Sequence, residues 1–285
     1  MADVTILFDR LRWEEKELYE KGKELGLDIQ LLDVKQQPLE LTNVKRNPEI
    51  AETVLQRTIS HYRGLYYSAI LENYGHLVIN SFAASLICGN KLLTTLLLAK
   101  NGIPTPRTYA AFSMESALKV IDKLGYPAVL KPIVGSWGRM IAKINDREQA
   151  ESILETREML TDPQQQIYYI QEYVKRPPRD IRGIVVNGRV VAAIYRYQPE
   201  DDWRTNIARG GKAEQIKVDG ELEDLMIKAA NVVNAKVVGV DAMETEGGYV
   251  IHELNNNLEF HGAYEATKVD IAGEIMKYVR ELVRR

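Results

Sequence analysis

Short hydrophobic runs alternate with longer amphipathic segments over the first 80 positions of the chain. Four of the runs have the length and the β-branched content of strands: Val4–Phe8, Ile29–Val34, Thr53–Arg57 and Leu77–Asn80. Hydrophobic residues recur with helical spacing over about 13–25 and 62–74. Because strands that alternate with helices favour a parallel sheet, this part of the chain predicts a small, doubly wound α/β domain.

From residue 81 onward the pattern predicts a mixture of helices and strands. One helix over about 81–101 contains Lys91, and the turn-forming segment Gly102–Pro106 ends it. Further helices are predicted near 113–124, 148–160 and 222–233 and from Ile271 onward. Further strands are predicted near 126–132, 140–144, 167–174, 181–186 and 190–195.

Two apolar runs near the end of the chain, Val237–Met243 and Tyr249–Leu254, predict a β-hairpin across a glycine turn. Because side chains alternate along a strand, Glu253 and Asn255 project from the same face. Pairing across the hairpin brings Asp241 to that face as well. Two carboxylates and an amide oxygen form a hard oxygen site suited to Mg²⁺, with the other positions left for water and phosphate. The alternative is that the two carboxylates are edge charges beside a turn.

Composition narrows the classes of protein that fit. The 285 residues are enough for roughly two domains, and the hydrophobic share of 45% and charged share of 27% are ordinary for a globular protein. A net charge of −3 argues against general nucleic-acid binding. The single cysteine, Cys88, excludes an intramolecular disulfide and a cysteine zinc site. Neither a signal peptide nor a transmembrane span is recognised, so we expect a cytoplasmic protein without a membrane or nucleic-acid partner.

A lysine followed by a glycine loop indicates phosphate binding. Lys131 ends an apolar strand four residues before Gly135, and a lysine there can reach a phosphate as a point charge. The loop Gly135-Ser136-Trp137-Gly138-Arg139 lets backbone N–H groups approach phosphate oxygens closely. The alternative is a surface turn after a strand.

Two further segments carry candidate chemistry. Gln171-Glu172-Tyr173-Val174 ends a strand, where it could present backbone groups to an adenine and a carboxylate to a ribose. A strand that simply leaves the sheet is the alternative. Arginines suited to phosphate and carboxylate recognition follow, at 179, 182, 196, 204 and 209. A second glycine loop lies within Thr205–Gly211.

In this order the chain resembles the ATP-grasp ligases of the RimK-like group, and within that group the LysX and ArgX ligases, which attach 2-aminoadipate or glutamate to the amino-carrier protein LysW. The likeness extends over nearly the whole chain and includes the opening Leu7–Arg12. The other matching segments are Leu130–Pro132, Gly135–Arg139, Tyr169–Val174, Arg179–Arg182, Asn206–Gly211 and Glu253–Asn255.

The resemblance implies an α/β ATP-grasp fold with an α+β lid, preceded by the doubly wound domain as a pre-ATP-grasp domain. We expect this first domain at 1–88, the central lid subdomain at 89–170, and the C-terminal subdomain with the ATP and magnesium site at 171–285.

The resemblance also implies a role for each candidate residue. ATP would be bound by Lys91, Lys131, Gly135, Ser136, Trp137, Gly138, Arg139, Gln171, Glu172, Tyr173, Val174 and Arg196. Two Mg²⁺ ions would be held by Asp241, Glu253 and Asn255. Catalysis would involve Arg182, Arg204 and Asn206. The substrate would contact Arg209, Gly210, Gly211, Glu259, Phe260, Gly262 and Ala263, and the resemblance does not identify the residues that contact the carrier.

The implied activity is ligation of 2-aminoadipate or glutamate to LysW, an acidic carrier protein, in lysine biosynthesis, with arginine biosynthesis as a further pathway that the resemblance leaves open. A homo-oligomer, dimer or tetramer, is expected. Two other functions stay open: a RimK-like glutamate ligase that acts on another protein tail or peptide, and a nucleotide-binding regulatory module without catalysis. The complete Asp241, Glu253 and Asn255 set argues against the second, because binding alone does not require a two-metal site.

Two positions depart from the pattern of the family. Asn90 stands where Asp commonly precedes the first lysine, which affects a local contact and no metal ligand. Gly262-Ala263 stands where LysX-like members are expected to have Asn and a small residue and ArgX-like members Gly-Phe. The amino-acid substrate is therefore left open by the sequence.

Overall fold

The computed structural model describes residues 2–42, 45–135, 138–205 and 212–284. Several predicted site residues lie outside the described residues: Ser136, Trp137, Asn206, Arg209, Gly210 and Gly211. The described strands form three sheets, two of four strands and one of five. The α/β class predicted from the sequence agrees with this mixed content of helices and strands.

The first sheet contains only parallel pairs, as the doubly wound pattern predicts. Its strands are β1 (Val4–Phe8), β2 (Ile29–Asp33), β3 (Thr53–Gln56) and β4 (Leu77–Ile79), and its helices are α1 (Trp13–Glu24) and α2 (His61–Asn73). The strand order is β2-β1-β3-β4, so the direction of winding reverses between β1 and β3. A crevice for ligands forms at the carboxyl ends of the strands at such a point.

The single helix predicted over 81–101 is wrong, because two helices occupy this segment. They are α3 (Phe82–Cys88) and α4 (Lys91–Lys100), and they meet at an angle of 97°. A Cβ atom at Gly89 would lie 2.0 Å from the His61 ring, so any larger residue at the corner would have to displace that ring. The side chain of Asn90 then caps α4 by accepting hydrogen bonds from the backbone N–H groups of Leu92 and Leu93.

The second sheet is antiparallel and has the order β5-β8-β6-β7. Its strands are β5 (Thr108–Ala111), β6 (Ala128–Lys131), β7 (Ala142–Ile144) and β8 (Tyr168–Glu172). Two helices, α5 (Met114–Leu124) and α6 (Arg147–Glu158), and a 3₁₀ turn at Pro163–Gln166 accompany it. The strand β5 was not predicted.

The third sheet is antiparallel and has the order β11-β10-β9-β12-β13. Its strands are β9 (Arg179–Val186), β10 (Arg189–Tyr197), β11 (Lys212–Gln215), β12 (Val237–Thr245) and β13 (Gly248–Asn255). The helices around it are α7 (Gly220–Val232), α8 (His261–Thr267) and α9 (Ile271–Val283). Sequence patterns did not predict β11 or α8.

One hydrophobic core joins the first sheet to the third. It contains Ile6 from β1, Ile184 from β9 and Met276 from α9, and all three side chains are fully buried. A second core lies under the other face of the third sheet and is built on Met226 of α7 and Val238 of β12. The carboxyl ends of the first sheet are thereby held beside the third sheet.

No single helix in the described parts of the chain is long and apolar enough to cross a membrane. The bent pair α3 and α4, taken together, has the length and the apolar composition of a membrane span. The domain limits at 88/89 and 170/171 stay predictions; β8, which runs to Glu172, extends across the second of them.

Candidate active site

The hairpin β12–β13 forms as predicted and brings the proposed metal ligands together. Asp241 lies directly opposite Glu253, and Gly239 lies opposite Asn255. Directly opposed residues of antiparallel strands share a face, so Asp241, Glu253 and Asn255 point to the same side. The Nδ2 atom of Asn255 lies 3.5 Å from Oδ2 of Asp241. All three residues line one cavity of about 260 Å³.

Two arginines, Arg182 and Arg196, contact the Asp241 carboxylate. Arg182 lies opposite Asp241 in the β9–β12 pair and donates two hydrogen bonds to it, each of 2.7 Å. Arg196 lies opposite Asp180 in the β9–β10 pair and donates two bonds of 2.8 Å to that carboxylate. Nη2 of Arg196 also lies 3.0 Å from Oδ2 of Asp241. Two arginines and two carboxylates therefore form one buried ionic network.

This network fixes the charge of the predicted metal ligand. Burial alone would raise the pKa of Asp241, but the charges of Arg182 and Arg196 outweigh burial and hold that pKa far below its usual range. The carboxylate is therefore ionised at neutral pH. Buried ion pairs require such complete pairing, because an unpaired buried charge is costly.

The donor set fits a divalent cation. A carboxylate has about four acceptor positions, and Oδ1 of Asp241 accepts only from Nε of Arg182 among the described residues. One position on that oxygen is therefore left for a cation beside Glu253 and the amide oxygen of Asn255. In the described part of the chain, no three His, Cys, Asp or Glu side chains are arranged to hold a metal without other ligands.

Lys91 is placed by the corner between α3 and α4. It is the first residue of α4, its side chain is buried, and its backbone N–H donates to the carbonyl of Ile133. Its Nζ donates to the carbonyl oxygen of Gly135 at 2.8 Å and lies 3.4 Å from Oε1 of Glu253. The ammonium group thus connects the start of the glycine loop with the Glu253 carboxylate of the hairpin.

Lys131 is the last residue of β6, four positions before Gly135. Its Nζ donates to Oε1 of Gln171 at 2.7 Å. Burial lowers the pKa of Lys131 to about 8; the nearby charge of Lys91 adds to this effect, and the charge of Glu253 partly offsets it. A phosphate would supply the anion that this buried ammonium group lacks.

The predicted adenosine segment is only partly available to a ligand. Gln171 uses its amide to hold Lys131, Thr108 and Tyr169. The carboxylate of Glu172 accepts from the backbone N–H of Arg107 at 2.7 Å. Tyr173 and Val174 follow the end of β8 and are half-buried. Contact of the segment with adenosine stays a prediction.

The cavity lies where the three sheets meet. Gln56, Thr58 and His61 line it from the carboxyl ends of the first sheet and the start of α2. The basic residues that line it are Arg12, Lys91, Lys131, Arg139, Arg176, Arg182, Arg196 and Arg204. The acidic residues that line it are Asp180, Asp241, Glu253 and Glu259. The excess of positive charge in a chain of net charge −3 suits a polyanionic ligand.

Arg204 connects two loops at the rim of the cavity. Its Nη1 donates to the carbonyl oxygen of Gly138 at 3.0 Å, and its Nε donates to Asp202. The next residue, Thr205, donates its hydroxyl to Asp180. The glycine loop and the connection that follows β10 are therefore fastened to each other and to the ionic network.

The predicted substrate residues near α8 are divided between the cavity and the core. Glu259 lines the cavity and accepts a hydrogen bond from Arg12. Phe260 is fully buried against Trp13, and Ala263 is 3% exposed in the same core. Gly262 is half-buried and, like those two, is absent from the cavity wall. Their contact with a substrate stays a prediction.

Sequence patterns did not select several residues that line the cavity, among them Asp180 and His252. Asp180 precedes Arg182 by two positions on β9, so strand alternation could have placed both on one face. His252 lines the cavity beside Glu253. Regular alternation would place the His252 side chain on the face opposite to Glu253. The β-bulge between β12 and β13 places it on the cavity side instead. Burial first, and then the charge of Lys131, holds the pKa of His252 well below its usual value.

Two family models match the chain. A model described as the RimK-like ATP-grasp domain covers residues 88–279, and one described as the LysX preATP-grasp domain covers residues 4–86. Together they include the three sheets and every side chain of the cavity described above.

The chain is similar over nearly its whole length to two kinds of curated protein. It is 38% identical to an alpha-aminoadipate–LysW ligase LysX of Saccharolobus solfataricus over 275 residues, which are 96% of this chain and 99% of that protein. It is 36% identical to a glutamate–LysW ligase ArgX of Sulfolobus acidocaldarius over 278 residues, which are 97% of this chain and 98% of that protein.

Solved structures share the fold. A RimK domain ATP-grasp protein from Sphaerobacter thermophilus matches with a TM-score of 0.82 at 23% identity, over 96% of this chain and 98% of the other. A D-alanine–D-alanine ligase from Bacillus anthracis, solved in complex with ATP, matches with a TM-score of 0.73 at 17% identity, over 100% of this chain and 98% of the other.

Proposed function

The chain belongs to the RimK-like ATP-grasp family, and on that premise we propose that it joins 2-aminoadipate or glutamate to a LysW-type carrier protein. It is a ligase that uses ATP. The reaction has two steps. ATP phosphorylates the side-chain carboxylate of the carrier's C-terminal glutamate, and the α-amine of the amino acid then attacks the acyl phosphate. The products are an amide of the isopeptide type, ADP and phosphate.

One observation carries this proposal. In a chain that is similar end to end to LysW ligases, a single cavity contains two buried lysines and the carboxylate pair of the hairpin. Such a site positions a polyphosphate and neutralises its charge, which is most of what phosphoryl transfer requires of a protein.

Each group has a role in this scheme. Lys91 and Lys131 bind ATP phosphates, and Asp241, Glu253 and Asn255 hold Mg²⁺, with two ions proposed. Bound Mg²⁺ neutralises phosphate charge and orients the phosphates for transfer. Arg182 and Arg196 keep Asp241 ionised. The excess of arginine in the cavity favours approach of the acidic tail of the carrier.

For the amino-acid substrate we propose two compounds rather than one. Glutamate and 2-aminoadipate differ by one methylene group, which a pocket distinguishes by only about 1–3 kcal/mol. Gly262 offers no side-chain amide and Ala263 offers no aromatic bulk. We therefore propose activity with both amino acids and a modest preference for 2-aminoadipate. A dimer or tetramer in solution stays a prediction.

Release of ADP tests the proposal against the two other functions. Purified enzyme is incubated with ATP, Mg²⁺ and each amino acid, with and without a LysW-type carrier. The proposal predicts release of ADP that requires both the carrier and an amino acid. ADP release with glutamate and another protein tail or peptide, but not with LysW, would favour the RimK-like alternative. Tight nucleotide binding without ADP release under any condition would favour a regulatory module.

A further inference from the structure

His252 occupies an irregular position in the strand that carries the predicted metal ligands. The neighbouring pairs of the hairpin are Asp241 with Glu253 and Ala242 with Ile251. His252 is therefore the extra residue of a β-bulge, and a bulge re-aims side chains beside active sites. Ile251 is fully buried in the core, whereas His252 and Glu253 both line the cavity.

Both ring nitrogens of His252 are buried and have no hydrogen-bond partner among the described residues. An unpaired buried donor or acceptor lowers stability, and nearly all such groups in proteins have a partner. The charged groups whose fields act on the ring are Lys131, Arg176, Arg196 and Asp241. The fold thus retains an unfavourable imidazole at the wall of the cavity that holds the two lysines and the hairpin carboxylates.

The chemistry of the ring restricts what its partner can be. A neutral imidazole has one N–H donor and one acceptor nitrogen. Phosphate oxygens only accept, so a phosphate would satisfy the donor and leave the acceptor facing negative charge. The phosphates already have Lys91 and Lys131. The nucleoside part of ATP has both donors and acceptors, in the edge of the base and in the ribose hydroxyls.

We propose that His252 contacts the nucleoside part of ATP and determines nucleotide specificity. The inference rests on ATP as the cosubstrate. The χ2 torsion of histidine is broad, so the ring can turn in place and present its nitrogens to the cavity. Because Glu253 is the next residue, the same bulge sets the distance between the nucleoside and the cation-binding carboxylate.

The test compares His252→Leu, which is similar in size but has no polar atom, with His252→Gln, which keeps a donor and an acceptor. Without nucleotide, the melting temperature of H252L should equal or exceed that of the wild type, since an unsatisfied buried group is removed. The dissociation constant for ATP should rise about tenfold in H252L. H252Q should recover most of the ATP affinity.

Nucleotide analogues separate contact with the ribose from contact with the base. If the ring binds the ribose, H252L loses the discrimination of the wild type against 2′-deoxyATP. If the ring binds the base, H252L loses the discrimination against GTP. Unchanged ATP affinity in H252L overturns the proposal. An equal loss of affinity for ATP, 2′-deoxyATP and GTP overturns it as well, because that pattern indicates contact with the shared phosphates.

His76→Leu is the matched control. His76 is also buried, but Nδ1 lies 2.8 Å from the carbonyl oxygen of Ala51 and Nε2 accepts from the N–H of Asn47. It does not line the cavity. H76L should lower the melting temperature and leave ATP affinity unchanged. Absence of ATP binding by the wild type would instead contradict the proposed function, so the two failures are distinguishable.

Discussion

Single residues in this site act mainly by setting the charge of their neighbours. Asp241 stays ionised because Arg182 and Arg196 surround it, and Arg196 is in turn neutralised by Asp180. Asn90, which departs from the Asp common in the family, caps α4 with two hydrogen bonds. Asn and Asp are equally good N-caps, so this departure leaves Lys91 in position.

Glu253→Gln should reduce turnover by about 100-fold or more, because a neutral amide is a poor substitute for a carboxylate that holds a divalent cation. Steady-state ADP release at saturating Mg²⁺ measures the effect. The control is Glu246→Gln, a side chain that is 93% exposed and should leave turnover unchanged. Turnover of E253Q close to that of the wild type would remove Glu253 from the metal site.

Lys131 should take up a proton when ATP binds near pH 8. Burial lowers the pKa of its ammonium group to about 8 in the nucleotide-free protein, and phosphate anions should raise that pKa. ATP affinity should therefore weaken as pH rises above 8. Calorimetry in two buffers of different ionisation enthalpy measures the uptake. Lys131→Arg, which stays charged, should show none, and absence of uptake in the wild type would contradict the argument.

The same shift affects stability without nucleotide. The folded-state pKa of about 8 lies below the value of about 10.4 expected for an unfolded lysine. The unfolded state therefore binds more protons between these values. The contribution of Lys131 to folding is least favourable below about pH 8 and improves as pH rises toward about 10.4.

At the scale of elements, hydrophobic periodicity was sufficient for most of the fold. The first sheet and the hairpin β12–β13 agree with the patterns because long apolar runs and glycine turns dominate there. Gly89 was missed because the break between α3 and α4 depends on a tertiary contact with His61. The short strand β11 lacks a hydrophobic run, since its residues are Lys-Ala-Glu-Gln. The position of His252 depends on a bulge that periodicity cannot locate.

Gly89→Ala should destabilise the protein by about 1–3 kcal/mol, as overpacking typically does. The backbone of Gly89 has a φ of −73°, which alanine also adopts, so the collision of its Cβ with the His61 ring is the cause. Displacement of α4 should also raise the KM for ATP through Lys91. Urea unfolding and kinetics measure both effects. The double variant G89A/H61A should recover stability, and failure to recover would exclude this contact as the cause.

The glycine loop should respond to nucleotide. Contacts with phosphates should slow amide hydrogen exchange in Gly135–Arg139 when ATP and Mg²⁺ are bound. Exchange in α7, on the far side of the third sheet, serves as the internal reference. Equal exchange of the loop with and without saturating nucleotide would count against its predicted role.

At the scale of the whole molecule, the cavity exists because one core holds the first sheet against the third. The sequence could predict that Lys91, Lys131 and the carboxylates of the hairpin lie together, because they belong to short motifs. It could not predict the wall formed by Gln56, Thr58 and His61, because that wall depends on how the sheets meet. The chain is 38% identical to the LysX relative and 36% identical to the ArgX relative, so substrate assays have to distinguish the two amino acids.

Substrate choice should be broad, with measurable kcat/KM for both amino acids. Ala263→Phe should penalise 2-aminoadipate more than glutamate if this position limits the length of the pocket. Because Ala263 is buried in the core, phenylalanine there can also destabilise the fold. The melting temperature of the variant is therefore measured together with its kcat/KM. Equal loss of kcat/KM for the two amino acids would show that residue 263 does not set the pocket length.

The most direct test of the central claim is the intact mass of a LysW-type carrier after incubation with the enzyme, ATP, Mg²⁺ and one amino acid at a time. The account predicts an increase equal to one 2-aminoadipate or glutamate residue, which disappears without ATP and is strongly reduced with E253Q. A carrier of unchanged mass under conditions in which ADP is released would contradict it.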